Sequence, residues 1–560
     1  MRTRLFGTVF ADYYLTQALN WRLNFGADLT FSRQGQFWGA ETQAMQGSGA
    51  NAALQQARTF AFTLDNIVTY RRSLSSDHRV DVTLVHSMQG ERTENQFASV
   101  NGLPYEQQEY FDLGSAARIE GVSSDLTQWR LQSVMARVNY ALKDRYLFTV
   151  TARNDGSSRL APGNKYAWFP SVAFAWRLSD EEPIRRTNVF SDLKLRASYG
   201  QTGNTAISPY QTEGSLTRTI YSFGDRPAVG FRPGALRNPD LQWERTSQLD
   251  LGLEFGLRNG RVSGSVDVYR ADTRELLMPR QLPPSSGYTS IVQNIGSTRN
   301  MGVEVALSTE LLRDWHGLSW STQLNWAMNR NRIVSLYGGK QDDVGNRWFI
   351  GQPVQVYYDQ KFGGIWQLQD SLVAKQYKRK PGEIRVVDLN GDGKINDKDR
   401  LILGTPFPDW TGSLTSRLDW KGVDVSAMAV ARVGFMVHND FLTGQNTLAG
   451  RYNNIKVDYW TPTNPSNTEP RPNADQENPP GGATRGYEDG SFIRVRSITV
   501  GYTVASARLG NLFRVRSLRI YATALDPFLF TRFGGLDPES RTSAGIPSYW
   551  TVLTGVTVGL

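Results

Sequence analysis

LDLGLEFGLRNGRVSGSVDV, residues 249–268, alternates between apolar and polar or small side chains in two halves separated by a short turn. Because side chains alternate across a strand, the apolar residues of each half share one face. Asn259-Gly260 lies in the turn, and Asn-Gly is a strong signal for a β-hairpin. The apolar face consists of Leu249, Leu251, Leu253, Phe255 and Leu257, followed by Val262, Gly264, Val266 and Val268. The stretch therefore predicts a long hairpin with one apolar and one polar face.

Two classes of protein bury such a face. A soluble β-sandwich packs it against a second sheet, whereas a membrane barrel turns it towards lipid and encloses a polar interior. Long two-faced strands recur along the chain, which favours an all-β, antiparallel transmembrane β-barrel.

Composition supports this choice and excludes several functions. The 560 residues are 39% hydrophobic, and the chain has no run of eighteen apolar residues, so helical membrane spans are excluded. The chain has 0 cysteines and 4 histidines, and it lacks the common nucleophile, zinc and phosphate-loop motifs, so we expect no enzymatic activity. The net charge of +9 is spread over turns and loops, which argues against a nucleic-acid-binding surface.

Strand patterns indicate about seventeen strands of the expected barrel. Short connections at 143–145, 258–260, 313–317 and 421–422 alternate with long polar loops, the pattern of short periplasmic turns and long extracellular loops. The predicted long loops are 32–58, 89–127, 201–243, 335–409 and 436–491. The predicted strands are 5–14, 19–31, 59–70, 79–88, 128–142, 146–155, 168–178, 193–200, 244–257, 261–270, 299–310, 318–331, 410–420, 423–435, 492–502, 517–525 and 549–560.

Both ends of the chain are predicted to form strands. The first fifteen residues are interrupted by Asp12 and are predicted to form a strand rather than a signal peptide. The last strand, YWTVLTGVTVGL, places apolar side chains on one face and is predicted to end on the periplasmic side. That face comprises Trp550, Val552, Val556, Val558 and Leu560.

One segment, DLNGDGKINDKDR at residues 388–400, has the spacing of a calcium loop. Gly393 occupies the position of the sharp turn, and an aspartate takes the twelfth position, where an EF-hand has glutamate. The predicted ligands of a structural Ca²⁺ are Asp388, Asn390, Asp392, the backbone carbonyl of Lys394, Asn396 and Asp399. The alternative is an acidic Asn/Gly turn without metal.

Aromatic side chains are frequent in the predicted long loops. They could stack sugar rings or pack peptides, or they could hold the loops against one another. These residues are Tyr105, Tyr110, Phe111, Trp348, Tyr357, Tyr358, Trp366 and Trp460.

Several segments together resemble the SusC/RagA family of TonB-linked outer-membrane transporters. The resemblance covers ARVNYALKDRYLFTVTARNDGSSRLAPGNKYAWFPSVAFAWRLSDE, LKLRASYGQTGN, NPDLQWERTSQLDLGLEFGLRNGRVSGSVDVYRADTRELL, NIGSTRNMGVEV, the calcium-like segment and LRIYATALDPFLFTRFGGLDPE, in this order. It implies a barrel of about twenty-two strands, an N-terminal plug, contact with TonB–ExbB–ExbD through the N-terminal part and a SusD/RagB-like lipoprotein partner.

The resemblance also sets the predicted domain organisation. Residues 1–560 are expected to be the C-terminal part of a TonB-dependent receptor barrel without its plug and first strands, and 335–409 to be a loop insertion that contains the calcium-type loop at 388–399. The predicted function is import of oligosaccharides or peptides across the outer membrane of a Gram-negative, Bacteroidetes-like cell. We expect this part alone not to transport. The alternatives are a passive porin or barrel scaffold and a secreted calcium-binding β-sandwich adhesin.

Overall fold

The computed structural model describes residues 1–337, 339, 341–444, 446–451, 454–505, 517–540 and 549–559. Among these residues, the seventeen strands of nine residues or more form one sheet, the main sheet, and the shorter strands pair outside it. The strands are β1 (Arg2–Tyr14), β2 (Leu19–Trp38), β3 (Asn51–Ser73), β4 (His78–Asn101), β5 (Arg118–Leu142), β6 (Tyr146–Ser157), β7 (Tyr166–Arg177), β8 (Phe190–Asn204), β9 (Leu216–Phe223), β10 (Arg226–Pro233), β11 (Glu244–Leu257), β12 (Val262–Arg274), β13 (Leu277–Gln281), β14 (Ser290–Asn294), β15 (Ser297–Trp315), β16 (Leu318–Ser335), β17 (Tyr357–Gln360), β18 (Phe362–Ile365), β19 (Ile384–Val386), β20 (Arg400–Gly404), β21 (Trp410–Trp420), β22 (Val423–Val433), β23 (Met436–His438), β24 (Tyr487–Asp489), β25 (Phe492–Ala505), β26 (Ser517–Thr531) and β27 (Thr551–Gly559).

Helical structure is confined to short segments between strands. The α-helices are α1 (Glu182–Arg185), α2 (Ser371–Gln376) and α3 (Asp440–Gly444). Single 3₁₀ turns cover Glu106–Gln108, Leu113–Ser115, Leu178–Asp180, Pro284–Ser286, Leu368–Asp370, Asp397–Asp399 and Gly482–Gly486. No helix in the described part of the chain is both long and apolar enough to cross a lipid bilayer.

The chain divides into two compact units. Unit 1 comprises 1–177, 196–249 and 272–297, and unit 2 comprises 178–195, 250–271 and 298–560.

In unit 1, strands β1 to β7 pair with their sequence neighbours in antiparallel register. Val138, Val150 and Val172 lie opposite one another on β5, β6 and β7 and are 42%, 55% and 50% exposed. The other face of the same strands is polar, and there the Thr149 hydroxyl donates a hydrogen bond to Asn139 over 2.9 Å. The alternation predicted from the sequence thus gives an exposed apolar face and a hydrogen-bonded polar face.

Unit 2 repeats this arrangement along β16, β21, β22, β25, β26 and β27. Tyr502, Ile520 and Val556 are neighbours on three successive strands and are 39%, 53% and 63% exposed. On the polar face the hydroxyls of Thr499 and Thr523 are hydrogen bonded at 2.9 Å. Exposed apolar surface of this extent marks contact with a partner or a membrane.

These observations decide between the two classes of β-protein. The predicted all-β antiparallel class with about seventeen strands is confirmed. The β-sandwich alternative is wrong, because a sandwich would bury the apolar face of its strands, whereas that face is exposed in both units.

Two of the predicted long loops are much shorter than expected. Most of 32–58 and 89–127 belongs to β2, β3, β4 and β5, which pair far beyond their apolar portions. Polar cross-strand contacts continue the ladder there, as where the side-chain amide of Asn95 on β4 donates to the Asp125 carboxylate on β5 over 2.9 Å. Such pairs stabilise strands without leaving a hydrophobic period in the sequence.

The predicted loops 335–409 and 436–491 contain short strands of their own. Strand β17 pairs with β20, β18 with β19, and β23 with β24. We refer to these short strands and their connections as the loop assembly of unit 2.

Strand β25 contains a bulge at Arg496. Val495 and Ser497 pair with the adjacent residues Ala429 and Met428 of β22, so Arg496 is the extra residue. On the β26 side the register shifts again across the same position. Bulges bend a strand and redirect its side chains.

The last strand follows its predicted pattern where it is described. Val552, Val556 and Val558 share one face and are 55%, 63% and 51% exposed. The predicted contribution of Leu560 and the connection at 506–516 lie outside the described residues.

Lysine substitutions on the two faces test the assignment of the apolar face to lipid. Leu414 lies mid-strand on the apolar face of β21, and Met428 lies mid-strand on the polar face of the adjacent β22. We expect Leu414→Lys to lower the free energy of unfolding in lipid vesicles by about 2–4 kcal/mol, because it places a charge in hydrocarbon. The Met428→Lys variant is the matched control and should change it far less. Equal losses in urea unfolding followed by tryptophan fluorescence would contradict the assignment.

Candidate functional site

A cavity of about 620 Å³ opens in the loop assembly of unit 2. We call it the loop cavity. Its lining combines two aromatic rings with amide and guanidinium groups, a composition suited to a small polar ligand. The lining residues are Asn346, Arg347, Trp348, Val354, Gln355, Val356, Tyr357 and Pro406.

The wall that carries Arg347 and Trp348 is a tight turn. The backbone N–H groups of Asp343 and Trp348 donate to each other's carbonyl oxygens at 2.8 and 2.9 Å. Inside the turn the Asp343 carboxylate accepts hydrogen bonds from the side-chain amide of Asn346 and the hydroxyl of Tyr337, both at 2.6 Å, and from the Asn346 backbone. Arg347 has a left-handed backbone with φ of 60°. Because this conformation is unfavourable for arginine, the hydrogen bonds around Asp343 must hold it.

The turn is also fixed to the sheet. The backbone of Ile333, near the end of β16, exchanges hydrogen bonds with Gly351 and Gln352 at 2.8 and 2.9 Å. Phe349 is buried and its ring lies 4.8 Å from that of Tyr358. The loop cavity is therefore anchored to a strand of the main sheet.

Tyr357 links the cavity to the rest of the loop assembly. Its ring lies 5.4 Å from that of Tyr487, whose hydroxyl donates to Asp359 over 2.8 Å. Burial raises the pKa of Tyr487 well above its ordinary value, and the hydrogen bond to the carboxylate raises it further. Tyr487 therefore remains a protonated donor at physiological pH.

The calcium-type loop leads directly into β20, the strand that pairs with β17. The side-chain amide of Gln360, at the end of β17, donates to the Asn396 carbonyl over 3.0 Å. The Asp388 carboxylate accepts from the N–H groups of Gly391 and Gly393 at 2.7 and 2.8 Å and from the hydroxyl of Tyr377 at 3.0 Å. Gly393, at the position predicted for the sharp turn, has a left-handed backbone with φ of 76°.

The end of the calcium-type loop is equally ordered. Asp399 is fully buried and accepts from the N–H groups of Leu389 and Asn396 at 2.9 and 2.8 Å. Asn390 and Asp392 are turned towards each other, with the amide donating to the carboxylate over 3.1 Å. Within the described ranges, no three Asp, Glu, His or Cys side chains converge into a group that could hold a metal. The Asp388 and Asp399 carboxylates accept hydrogen bonds from backbone N–H groups instead, and calcium binding stays a prediction.

The aromatic residues singled out from the sequence separate into different environments. Trp348 and Tyr357 line the loop cavity, whereas Trp366 and Trp460 are buried in the loop assembly. In unit 1, Tyr105 and Phe111 are 66% and 68% exposed, and Tyr110 lies 4.5 Å from Phe111. Trp366 and Trp460 therefore hold the loops against one another, whereas sugar or peptide contact by the other rings stays a prediction.

A buried charge cluster that the sequence patterns did not reveal lies next to the bulge of β25. Arg494 is 1% exposed, and its guanidinium lies 2.6 Å from Asp537 and 2.9 Å from Glu539. Arg496 contacts Glu539 at 2.6 Å and Asp526 at 3.1 Å. These ion pairs hold the segment after β26 against the polar face of β25.

Arg347 and Asp343 were also missed. The signal available was Asp343-Val344-Gly345-Asn346, a turn-forming set, but its hydrogen-bonded conformation depends on contacts with Tyr337.

Residues 3–524 match the sequence model of a family described as TonB dependent receptor-like, beta-barrel. The chain is 31% identical over 556 residues to TonB-dependent receptor P26 of Formosa agariphila, covering 96% of this chain and 56% of the relative. It is 31% identical over 462 residues to TonB-dependent receptor SusC of Bacteroides thetaiotaomicron, covering 78% of this chain and 44% of the relative. The chain thus spans about half the length of the curated relatives it matches.

A solved structure has the same fold. The RagAB peptide transporter structure superposes with a TM-score of 0.85 at 24% identity, covering 100% of this chain and 62% of that chain. Together with the SusC relative, it confirms the resemblance to the SusC/RagA family and the barrel fold class predicted from the sequence.

The order of the cavity turn depends on the charge of Asp343. Burial acts to raise the pKa of Asp343, but the hydrogen bonds from Tyr337 and Asn346 outweigh it and lower the pKa below its ordinary value. The stability that this carboxylate contributes is present above the ordinary carboxyl pKa of about 4 and is lost as the pH falls through the lower folded value. We expect hydrogen exchange of residues 341–350, corrected for its intrinsic pH dependence, to accelerate below about pH 4. The Asp343→Asn variant should lack this transition, and its persistence there would contradict the assignment.

Removing the buried Arg494 side chain should strongly destabilise the protein. We expect Arg494→Ala to lower the free energy of unfolding by about 3–5 kcal/mol, because Asp537 is left as a buried charge. The control Arg496→Ala removes a side chain that is 35% exposed and should cost less. Replacing both partners, in Arg494→Met with Asp537→Leu, should restore most of the loss in urea unfolding. If the double variant were as unstable as Arg494→Ala, the pairing would not explain the effect.

Proposed function

We infer that this chain, which belongs to the TonB dependent receptor-like, beta-barrel family, is the barrel part of an outer-membrane importer. The match over residues 3–524 carries this proposal. The physical features agree with it: the apolar strand faces are exposed, the opposite faces are polar, and the long connections form an ordered loop assembly. In such a barrel the long connections face the extracellular side.

The proposed cargo is an oligosaccharide or a peptide, taken up by the whole protein with energy from TonB–ExbB–ExbD. A SusD/RagB-like surface lipoprotein is the proposed partner at the extracellular loops. Both proposals draw on similar proteins, since one relative is the TonB-dependent receptor SusC and one similar structure is that of the RagAB peptide transporter. The proposed location is the outer membrane of a Gram-negative, Bacteroidetes-like cell.

Uptake by cells tests the energy coupling. We expect accumulation of either labelled oligosaccharides or labelled oligopeptides to be lost when the gene is deleted, and lost equally when TonB is deleted. Restoring the gene should restore uptake. Uptake that requires this protein but persists without TonB would support the alternative of a passive porin.

Co-purification tests the partner. A tagged protein extracted from the outer membrane in mild detergent should retain a stoichiometric surface lipoprotein, identified by mass spectrometry. Recovery without any lipoprotein under conditions that preserve the barrel would remove the partner from the proposal.

We further propose that the calcium-type loop binds one structural Ca²⁺. Asp388, Asn390, Asp392, Asn396 and Asp399 would supply side-chain oxygens and Lys394 its carbonyl, which is the hard oxygen set that calcium prefers. Binding requires Asn390 and Asp392 to give up their mutual hydrogen bond and turn inward. The bound ion would stiffen the connection between β19 and β20, and through Gln360 the strand that carries Tyr357.

Calorimetric titration of the full chain with calcium chloride tests this site. We expect binding with a dissociation constant of about 10⁻⁴–10⁻³ M, the range of extracellular calcium modules. Asp388→Ala should abolish it, whereas Asp397→Ala should not, because that side chain is 85% exposed and occupies a non-ligand position. Absence of binding by the unchanged chain would leave the turn without metal as the correct interpretation.

A further inference from the structure

We propose that the loop cavity binds an acidic sugar unit and that Arg347 pairs with the carboxylate of that unit. The inference rests on the proposed import function and specifies its ligand class. The residues that carry it are Arg347, Trp348, Gln355 and Tyr357, all of which line the loop cavity.

Arg347 is the cationic group of the cavity. It is exposed, and in the described part of the chain it has no carboxylate partner within salt-bridge distance, unlike the paired arginines of the charge cluster at β25. Its left-handed backbone is fixed by a turn whose own carboxylate, Asp343, is occupied by Tyr337 and Asn346. A guanidinium presented in this way forms two parallel hydrogen bonds with a carboxylate.

The other lining groups fit a sugar ring. Trp348 and Tyr357 are half-buried, so part of each side chain remains accessible. The Gln355 side chain is exposed, and its backbone carbonyl accepts a hydrogen bond from the Thr405 hydroxyl at 2.9 Å. A ring face together with an amide that can both donate and accept matches a sugar, which is apolar on its faces and carries hydroxyls on its edge.

A peptide fits the same groups less well. Peptides are commonly held by addition to an exposed strand edge or by apolar pockets for alternate side chains. The aliphatic lining consists of Val354, Val356 and Pro406, and Val356 is buried at 6% exposure. The volume of about 620 Å³ is in the range of small-ligand clefts. The cavity therefore favours a compact polar unit with a negative charge.

The test is calorimetric titration of the full chain in detergent with three probes. They are a tetrasaccharide of alternating glucuronate and N-acetylglucosamine, neutral cellotetraose, and tetra-alanine, which carries a carboxylate on a peptide. We expect the acidic sugar to bind about tenfold more tightly than the neutral one, the effect of one charge-assisted interaction. Tetra-alanine should bind no better than cellotetraose.

Arg347→Gln should weaken binding of the acidic tetrasaccharide about tenfold and abolish the preference over cellotetraose. Arg258→Gln is the matched control, because Arg258 is also an exposed arginine with a left-handed backbone, at φ of 51°, but lies in a short turn between main-sheet strands. It should leave binding unchanged. Trp348→Leu should weaken both sugars, since it removes the ring and not the charge.

Three results would overturn the inference. One is binding of the acidic tetrasaccharide that Arg347→Gln does not alter, and another is no binding by any probe. The third is Arg347-dependent binding of tetra-alanine in preference to the sugars, which would assign the cavity to peptides. Because these titrations need no transport, their failure leaves the uptake result, and with it the proposed import function, to be judged separately.

Discussion

The structure depends on apolar strand faces that no other layer covers within the described part of the chain. Val150 in unit 1 and Ile520 in unit 2 are both more than half exposed although each lies within a paired strand. In hydrocarbon such a face is favourable, but backbone N–H and C=O groups have no water to bind, so they must be satisfied by neighbouring strands. The long antiparallel ladders meet this requirement, and they leave the polar faces and the connections free to carry function.

The connections use a different kind of stabilisation. In the loop assembly, single carboxylates such as Asp343, Asp388 and Asp399 each accept several hydrogen bonds from nearby backbone or side-chain donors. These local networks supplement the small hydrophobic clusters of the loop assembly, such as that of Ile365, Ile384 and Trp460. They position Arg347 and Trp348 at the loop cavity, on a scaffold anchored to a main-sheet strand, as is common for binding loops.

Alternation in the sequence was sufficient to predict the strands, because each strand has a lipid face and a polar face with a period of two. The extension of β4 and β5 was missed since cross-strand pairs such as Asn95 with Asp125 are polar on both strands. The calcium-type loop was found through fixed spacing, but sequence does not indicate which oxygens already accept backbone N–H groups. Trp348 was identified by residue type, whereas Arg347 acquires its role from a turn conformation that only the contacts of Asp343 define.

The extra residue at Arg496 limits which insertions and deletions the strands around β25 can accept. Before it, even-numbered Arg494 lies on the polar face of β25, and after it odd-numbered Ser497 and Thr499 do. Without the extra residue, everything from Ser497 onwards would be inverted, with Thr499 in hydrocarbon and Val500 in the polar interior. The bulge at Arg496 therefore keeps the apolar side chains of β25 on one face of the sheet. A single-residue insertion or deletion elsewhere in these strands is tolerable only when a second bulge restores that alternation.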